Sequence, residues 1–380
     1  MRLGFDGKRV FHNTTGLGNY ARDVLRILAA HAPGHELVAY NPSRGRVPFA
    51  LTGALREARP RGLFRLWPGL WRQVGLAGAL ARDGIEVFHG LSGELPVGLA
   101  RSGVPGVVTV HDLIFERFPA WYGAADRRIY RWKAQAAVRA ARVVVAISEQ
   151  TAGDLVHFYG VPRERIRVVY QGCHQVFRRP QPPQRLAAVA ARLGVAPGFV
   201  LQVGTIEPRK NLLLTARAVA SRPGVTLVAV GRPTAYAGEV LAFARTAGLG
   251  ERLRLLRGVS SEDLAALYQL AGVAVYPSRF EGFGIPIVEA LVSGTPVVTT
   301  RGGVFPEAGG PGSCYVDPDD ADGLREALRS ILSDPERRGA MRLAGLAFAE
   351  RFDEAAIAAG LLAVYAAALG EGLGAAADAR

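Results

Sequence analysis

The sequence predicts an α/β protein built from two open, mainly parallel sheets, and three observations carry that prediction. Short apolar, β-branched runs alternate with longer helical patterns along nearly all of the 380 residues, the signature of strand–helix–strand units. The length suits two domains at roughly 150 residues each. Near the middle stands Arg178-Arg179-Pro180-Gln181-Pro182-Pro183-Gln184. Proline is excluded from helix interiors and central strands, so this stretch reads as an interdomain linker.

In chain order, the strand candidates are residues 3–5, 87–88, 107–110 and 143–146, then 199–203, 226–230, 254–256, 273–276 and 296–299. The linker sets the domains at 1–180 and 185–352. The final Ala-rich helical pattern has no strand after it, and over about 353–370 it is expected to pack back on the first domain. Two open sheets of this type bind ligands at the carboxyl ends of their strands.

Composition narrows the function. At 49% hydrophobic and 21% charged residues, the chain can build real cores, which excludes wholesale disorder. Lys and Arg total 46 against 33 Asp and Glu, a net charge of +13. The entire excess lies in residues 1–180, with 26 basic and 13 acidic side chains. Such an excess suits nucleic acid, a membrane surface or anionic small molecules. Only Lys8, Lys133 and Lys210 are lysines, a bias that codon usage explains. Cys173 and Cys314 are isolated, which argues against a disulfide framework or a zinc site. The N-terminal residues lack the apolar run of a signal peptide. The longest charge-free stretch, 355–370, has 16 residues, short of the ~18 that a membrane span wants. A cytosolic protein, at most peripheral to a membrane, is expected.

Four motifs could carry chemistry. Pro277-Ser278-Arg279-Phe280-Glu281-Gly282-Phe283-Gly284-Ile285-Pro286-Ile287-Val288-Glu289 follows a strand and opens a helix. Gly282 and Gly284 allow close backbone approach, and Pro286 suits the first helical turn. The free amides and dipole of that turn favour a phosphate. Glu281 and Glu289 can each accept from vicinal hydroxyls, so the motif fits a sugar-bearing phosphate. Gly204-Thr205-Ile206-Glu207-Pro208-Arg209-Lys210 follows the strand before it. There Arg209 offers a fork and Lys210 a point charge for a diphosphate. His111-Asp112 ends another strand and points to a cleft. Gly16-Leu17-Gly18-Asn19-Tyr20-Ala21 matches G-x-G-x-x-[GA] but begins ten residues after the first strand ends. The dinucleotide fingerprint follows its strand directly, so a flexible cleft-lining loop is expected instead. Asp317-Pro318-Asp319 looks like a metal-binding D-x-D, but helix capping suits its position better.

Together these residues resemble the retaining group 1 glycosyltransferases with the GT-B fold, two Rossmann-like domains facing across a cleft. The glycine segment, His111-Asp112, Arg209-Lys210 and Glu281-x7-Glu289 occur in the family's order, and Phe305-Pro306-Glu307-Ala308 also looks family-like. The resemblance implies sugar transfer from a nucleotide diphosphate sugar with retention at the anomeric carbon, without cofactor or bound metal. By resemblance Arg209 and Lys210 hold the diphosphate and Glu289 the ribose. Glu281 and the amides of Gly282, Phe283, Gly284 and Ile285 hold the donor sugar, with Gly204 and Thr205 beside the diphosphate. His111 would face that sugar from the other domain, and Gly16, Leu17 and Gly18 would line the acceptor side. Residues 110–119 and Trp71-Arg72-Gln73 look most like bacterial mannosyltransferases that build surface polysaccharide. GDP-mannose is therefore the first donor expected and UDP-glucose the next, with a glycan or lipid-linked saccharide as acceptor. A nonhydrolysing sugar-nucleotide epimerase is the alternative of similar architecture.

The basic first half mixes cations with aromatics. Residues 56–72 hold five Arg among Leu63, Phe64, Trp67 and Trp71, and residues 127–142 hold six cations around Tyr130 and Trp132. That pattern suits anionic headgroups, although Trp67 and Trp71 at i,i+4 also suit an ordinary core. No nucleic-acid motif accompanies the charge, so nucleic acid is not expected as a partner.

Overall fold

The computed structural model describes residues 1–370, which form two compact units. The first comprises residues 1–172 and 353–370. It contains a seven-stranded sheet in the order β3-β2-β1-β4-β5-β6-β7. The strands are β1 Arg2–Asp6, β2 Glu36–Tyr40, β3 Leu55–Ala58, β4 Val87–Gly90, β5 Gly106–Val110, β6 Val143–Ala146 and β7 Ile166–Val168. Every pairing is parallel. Helices cover both faces of such a sheet, so its central strands read as unbroken apolar runs. Val143 to Ala146, for example, are all buried.

The second unit spans 173–352. Its six strands run β10-β9-β8-β11-β12-β13, again all parallel. They are β8 Val200–Val203, β9 Leu227–Val230, β10 Leu253–Leu256, β11 Val273–Tyr276, β12 Val297–Thr300 and β13 Cys314–Val316.

In each sheet the strand order reverses once, between β1 and β4 in the first and between β8 and β11 in the second. Open α/β sheets form a ligand crevice at the carboxyl ends of the strands flanking such a switch point.

The proline-rich stretch is not a linker between the units. Gln181 donates its backbone amide to Gln269 Oε1 at 2.9 Å, and Gln269 Nε2 donates to the Arg179 carbonyl at 2.9 Å. Pro183 then opens the helix Pro183–Leu193, because proline fits a first helical turn where its missing N–H costs nothing. The chain instead crosses between units at 172/173 and 352/353.

The last helix, Glu354–Leu369, belongs to the first unit. It ends a longer helical run, Pro335–Leu369, that is long and apolar enough to raise the question of a membrane span. Its Ile357, Leu361, Val364 and Tyr365 are instead buried, and it packs on the helix Gly16–His31 and on β4, β5 and β6. The buried Glu354 carboxylate meets Arg26 Nη1 at 2.8 Å.

The glycine segment is also not a flexible loop. Gly16 begins the helix Gly16–His31, and Asn13 Oδ1 accepts from the Thr15 and Gly18 amides at 2.7 and 3.2 Å. A Cβ on Gly18 would lie 2.0 Å from the Asn13 carbonyl oxygen, so the glycine permits this tight entry rather than mobility.

Candidate active site

The second unit's switch point gathers the charged residues picked out in the sequence. The chain leaves β8 through Gly204, whose φ of 141° suits glycine. After one 3₁₀ turn at Pro208–Lys210 comes Asn211, with φ 58°. Its side chain supports that left-handed conformation by donating to the Pro318 carbonyl at 2.7 Å. Gln202, buried near the end of β8, donates to the Lys210 carbonyl at 2.7 Å and accepts from Thr215 at 2.7 Å.

These bonds aim two cations at one carboxylate. Arg209 Nη1 and Lys210 Nζ each stand 2.7 Å from Glu281 Oε1. Arg209 also donates to the Phe280 carbonyl at 2.7 Å and to Glu207 Oε1 at 2.7 Å. Lys210 donates in addition to the Tyr276 hydroxyl. Burial opposes ionisation of Glu281, but Lys210 and Arg209 outweigh it and hold the carboxyl below its ordinary value. Burial likewise works against the charge on Lys210, yet Glu281 keeps its pKa raised. All three groups are ionised at neutral pH.

Beyond Glu281 the chain turns through Gly284, at φ 122°, into the helix Ile285–Val292, with Pro286 in its first turn. Gly204 packs under the Lys210 stem, where an added Cβ would stand 3.5 Å from Cε. Thr205, Gly282 and Phe283 occupy these same two loops, and Ile285 is the first residue of the helix. Glu289 sits on the helix and accepts from Tyr268 at 2.9 Å. Tyr268 is fully buried, and that burial with the Glu289 carboxylate beside it raises its pKa well above the usual tyrosine value. Tyr268, Tyr276 and Gln202 were not singled out in the sequence. Each is an unremarkable residue on a regular element, and only the tertiary fold brings its polar end to the site.

Asp317 Oδ1 accepts from the Asp319 amide at 2.9 Å, and Asp319 pairs with Arg279 at 2.6 Å. The residue that caps the following helix is Asp320, which accepts from the Gly323 amide at 2.8 Å.

His111 lies in the first unit at the end of β5. Its Nε2 donates to the Leu91 carbonyl at 2.9 Å, and its Nδ1 accepts from Gln171 Nε2 at 3.1 Å. This pattern suits the neutral ring. Burial pushes its pKa down to about 4, against the Leu91 bond, with Arg9 adding a smaller push in the same direction. Tyr20 packs edge-on against the ring, 4.6 Å between centroids. Tyr20 also begins a buried hydrogen-bonded chain through Thr109 and His89 to Tyr365 of the returning helix.

Comparison with known proteins gives this geometry a family. Residues 191–346 match the family described as Glycosyl transferases group 1, and residues 14–174 match Glycosyltransferase Family 4. A D-inositol 3-phosphate glycosyltransferase of Segniliparus rotundus is 31% identical over 331 residues, covering 83% of this chain and 73% of the relative. The chain belongs to the group 1 glycosyltransferases. Another relative of this glycosyltransferase is the O-antigen chain mannosyltransferase B of Escherichia coli. It is 28% identical over 374 residues, which is 93% of this chain and 96% of the relative. Among solved structures, a sucrose-phosphate synthase from Thermosynechococcus elongatus superposes with a TM-score of 0.77 at 22% identity, covering 97% of this chain and 99% of that one. Anabaena HepE in complex with UDP-glucose gives 0.74 at 19% identity, covering 97% of this chain and 100% of that one. The fold is GT-B, as the motif order implied.

Proposed function

We propose that this glycosyltransferase moves a hexose from a nucleotide diphosphate sugar to a saccharide or lipid-linked acceptor in glycan synthesis, with retention at the anomeric carbon. The observation that carries this reading is the convergence of Arg209 and Lys210 on one oxygen of Glu281, beside the Gly284 turn and the first amides of Ile285–Val292. Bond cleavage places positive charge on the sugar and negative charge on the departing diphosphate. Two preplaced cations stabilise that negative charge, most strongly where water is excluded. With that charge met by side chains, the reaction requires neither a bound metal nor a cofactor beyond the sugar nucleotide.

Glu281 is a poor nucleophile in this setting, because two cations hold its electron pairs and lower its basicity. Front-face attack follows, in which the acceptor hydroxyl gives its proton to the leaving phosphate. A covalent sugar trapped on Glu281 would overturn that mechanism. Glu289, oriented by Tyr268, is suited to the ribose hydroxyls.

Mannose from GDP-mannose is the first donor, on the strength of relatives named O-antigen chain mannosyltransferases. UDP-glucose is the second, from the structural neighbour crystallised with it. Thermal shifts against GDP, UDP, ADP and their sugars rank the donors, since a ligand that binds only native protein raises Tm. Failure of every nucleotide to shift Tm would sink the reading, and isomerisation of donor incubated alone would favour the epimerase.

The first unit adds a place of work. Trp71 is buried at 4% exposure, whereas Trp67 is 57%, Trp132 66% and Leu63 76% exposed. The i,i+4 spacing does not put Trp67 and Trp71 on one face, because Trp67 is the cap residue, with non-helical φ −127° and ψ 68°, and the helix begins only at Pro68. Exposed apolar side chains set among Arg61, Arg65, Arg127 and Arg128 fit an anionic bilayer, at roughly 1 kcal/mol per basic residue. The enzyme is thus proposed to work in the cytoplasm at the inner face of the membrane. Flotation with phosphatidylglycerol vesicles at low salt should carry it upward, and Trp67→Ser should reduce this. Absence of flotation retires the idea.

A further inference from the structure

The first unit's switch point holds a second charged cluster, to which nothing above assigns a ligand. Asp6, at the end of β1, is gripped by Arg72 through Nε at 3.2 and 3.1 Å and through Nη2. Arg72 Nη1 reaches Glu94 Oε2 at 2.6 Å. Lys133, from the helix Ala124–Ala140, reaches Glu94 Oε1 at 3.3 Å. The Lys8 amide takes Asp6 Oδ1 at 3.0 Å. Both carboxylates are therefore fully engaged by Arg72, Lys133 and backbone.

Two cations are left over. The Lys8 ammonium has no ion-pair or hydrogen-bond partner among the described residues. Arg9 spends only Nε, on Ser92 Oγ at 3.3 Å. Ser92 adjoins Leu91, whose carbonyl holds His111, so the pair stands next to the His111 site. Partial desolvation, and then Arg72, push the Lys8 pKa down, with Arg9 adding to this against the pull of Glu94 and Asp6. Four cations face two carboxylates, and like charges crowd together where no internal anion balances them. The lysine census sharpens the point. Only three of the 46 cationic residues are lysines. All three sit at the switch points, Lys8 and Lys133 here and Lys210 in the second unit. A compact, freely rotating point charge suits a phosphate of variable orientation better than a planar fork does.

We propose that Lys8 and Arg9, standing on the Arg72–Asp6–Glu94–Lys133 platform, bind a phosphate or diphosphate group of the acceptor. The inference rests on the proposed function only in that an acceptor is one of the two substrates. The shared chemistry is a phosphoryl group, presented by a lipid diphosphate or by a soluble sugar phosphate.

The test uses the whole chain with its donor site saturated by whichever nucleotide raises Tm, so failure of the donor reading shows itself first and separately. Inorganic pyrophosphate and farnesyl diphosphate are then titrated by calorimetry. Saturable binding is expected, weakened at least tenfold in the double variant Lys8→Gln/Arg9→Gln, with nucleotide affinity unchanged. The single variant Lys8→Gln, at an exposed side chain, serves if the double variant is poorly folded. Tighter binding of farnesyl diphosphate assigns a lipid-linked acceptor, and equal binding a soluble one. No binding of either probe, or equal affinity in wild type and variants, overturns the proposal.

Discussion

The two switch points use the same ingredients in opposite arrangement. In the first unit a buried guanidinium, Arg72, is held between two carboxylates. In the second a largely buried carboxylate, Glu281, is held between two cations. The first arrangement leaves the platform's carboxylates saturated and makes it a rigid support. The second leaves each cation able to trade an internal partner for a ligand's phosphate. Charge is thus structural on one side and exchangeable on the other.

The sharpest way to break this contrast is to remove the two central groups in turn. Arg72→Met should destabilise the first unit by about 3–5 kcal/mol, because Asp6 would remain buried and unpaired. All four tryptophans lie in residues 1–172, so their fluorescence during urea denaturation reports this unit selectively. A loss under about 1 kcal/mol would show that the platform is not structural. Lys210→Ala should lower kcat by roughly 10²–10³-fold, about 2.7–4 kcal/mol in the transition state. Its melting temperature should change little, since Glu281 keeps Arg209. Near-wild-type turnover would contradict the assignment.

Acid should separate the units as well. Burial depresses His89 to about 3 and His111 to about 4. An unfolded chain would bind protons at both sites near pH 6.5, whereas the folded one binds them only far lower. Stability of the first unit is therefore complete well above pH 6.5 and falls as pH drops, by about 2.5 kcal/mol between pH 7 and pH 5.5 for the two histidines together. Glu281 has the same sign in the second unit, but its contribution declines only as pH falls below about 4.5. A tryptophan-detected stability that stays flat from pH 7 to 5.5 would refute the histidine assignment. The smallest effect belongs to Tyr268→Phe. Losing its bond to Glu289 should weaken nucleotide binding by about 1 kcal/mol, roughly a fivefold rise in donor Kd by calorimetry.

Much of this was legible in the sequence, and the failures have physical causes. Central strands such as Val143–Ala146 announce themselves because both faces are buried. β3, β7 and β13 did not, being short sheet edges, and Arg56, Glu57 and Arg167 interrupt the apolar signal in the first two. β2 is buried but follows a long amphipathic helix, and a short apolar run carries no period of its own there. At the site, Arg209, Lys210, Glu281 and Glu289 stood out because charge beside glycine at a strand's end is unusual. Arg72 is visible in the sequence only as part of Trp71-Arg72-Gln73, and its ion pairs are not, because its partners Asp6 and Glu94 are 66 and 22 positions away. The prolines at 180–183 were read as a break when they mark a helix start.

The returning helix Glu354–Leu369 sets an order of events during synthesis. Tyr365 supplies the hydroxyl bonded to His89 at 2.9 Å, and Leu361 and Val364 fill the same core. Residues 1–172 emerge from the ribosome a full second unit ahead of that helix. At roughly 5–20 residues per second, they wait about 10–40 s with an apolar face uncovered, while the second unit has everything it needs to fold first. The half of the enzyme translated first is completed last.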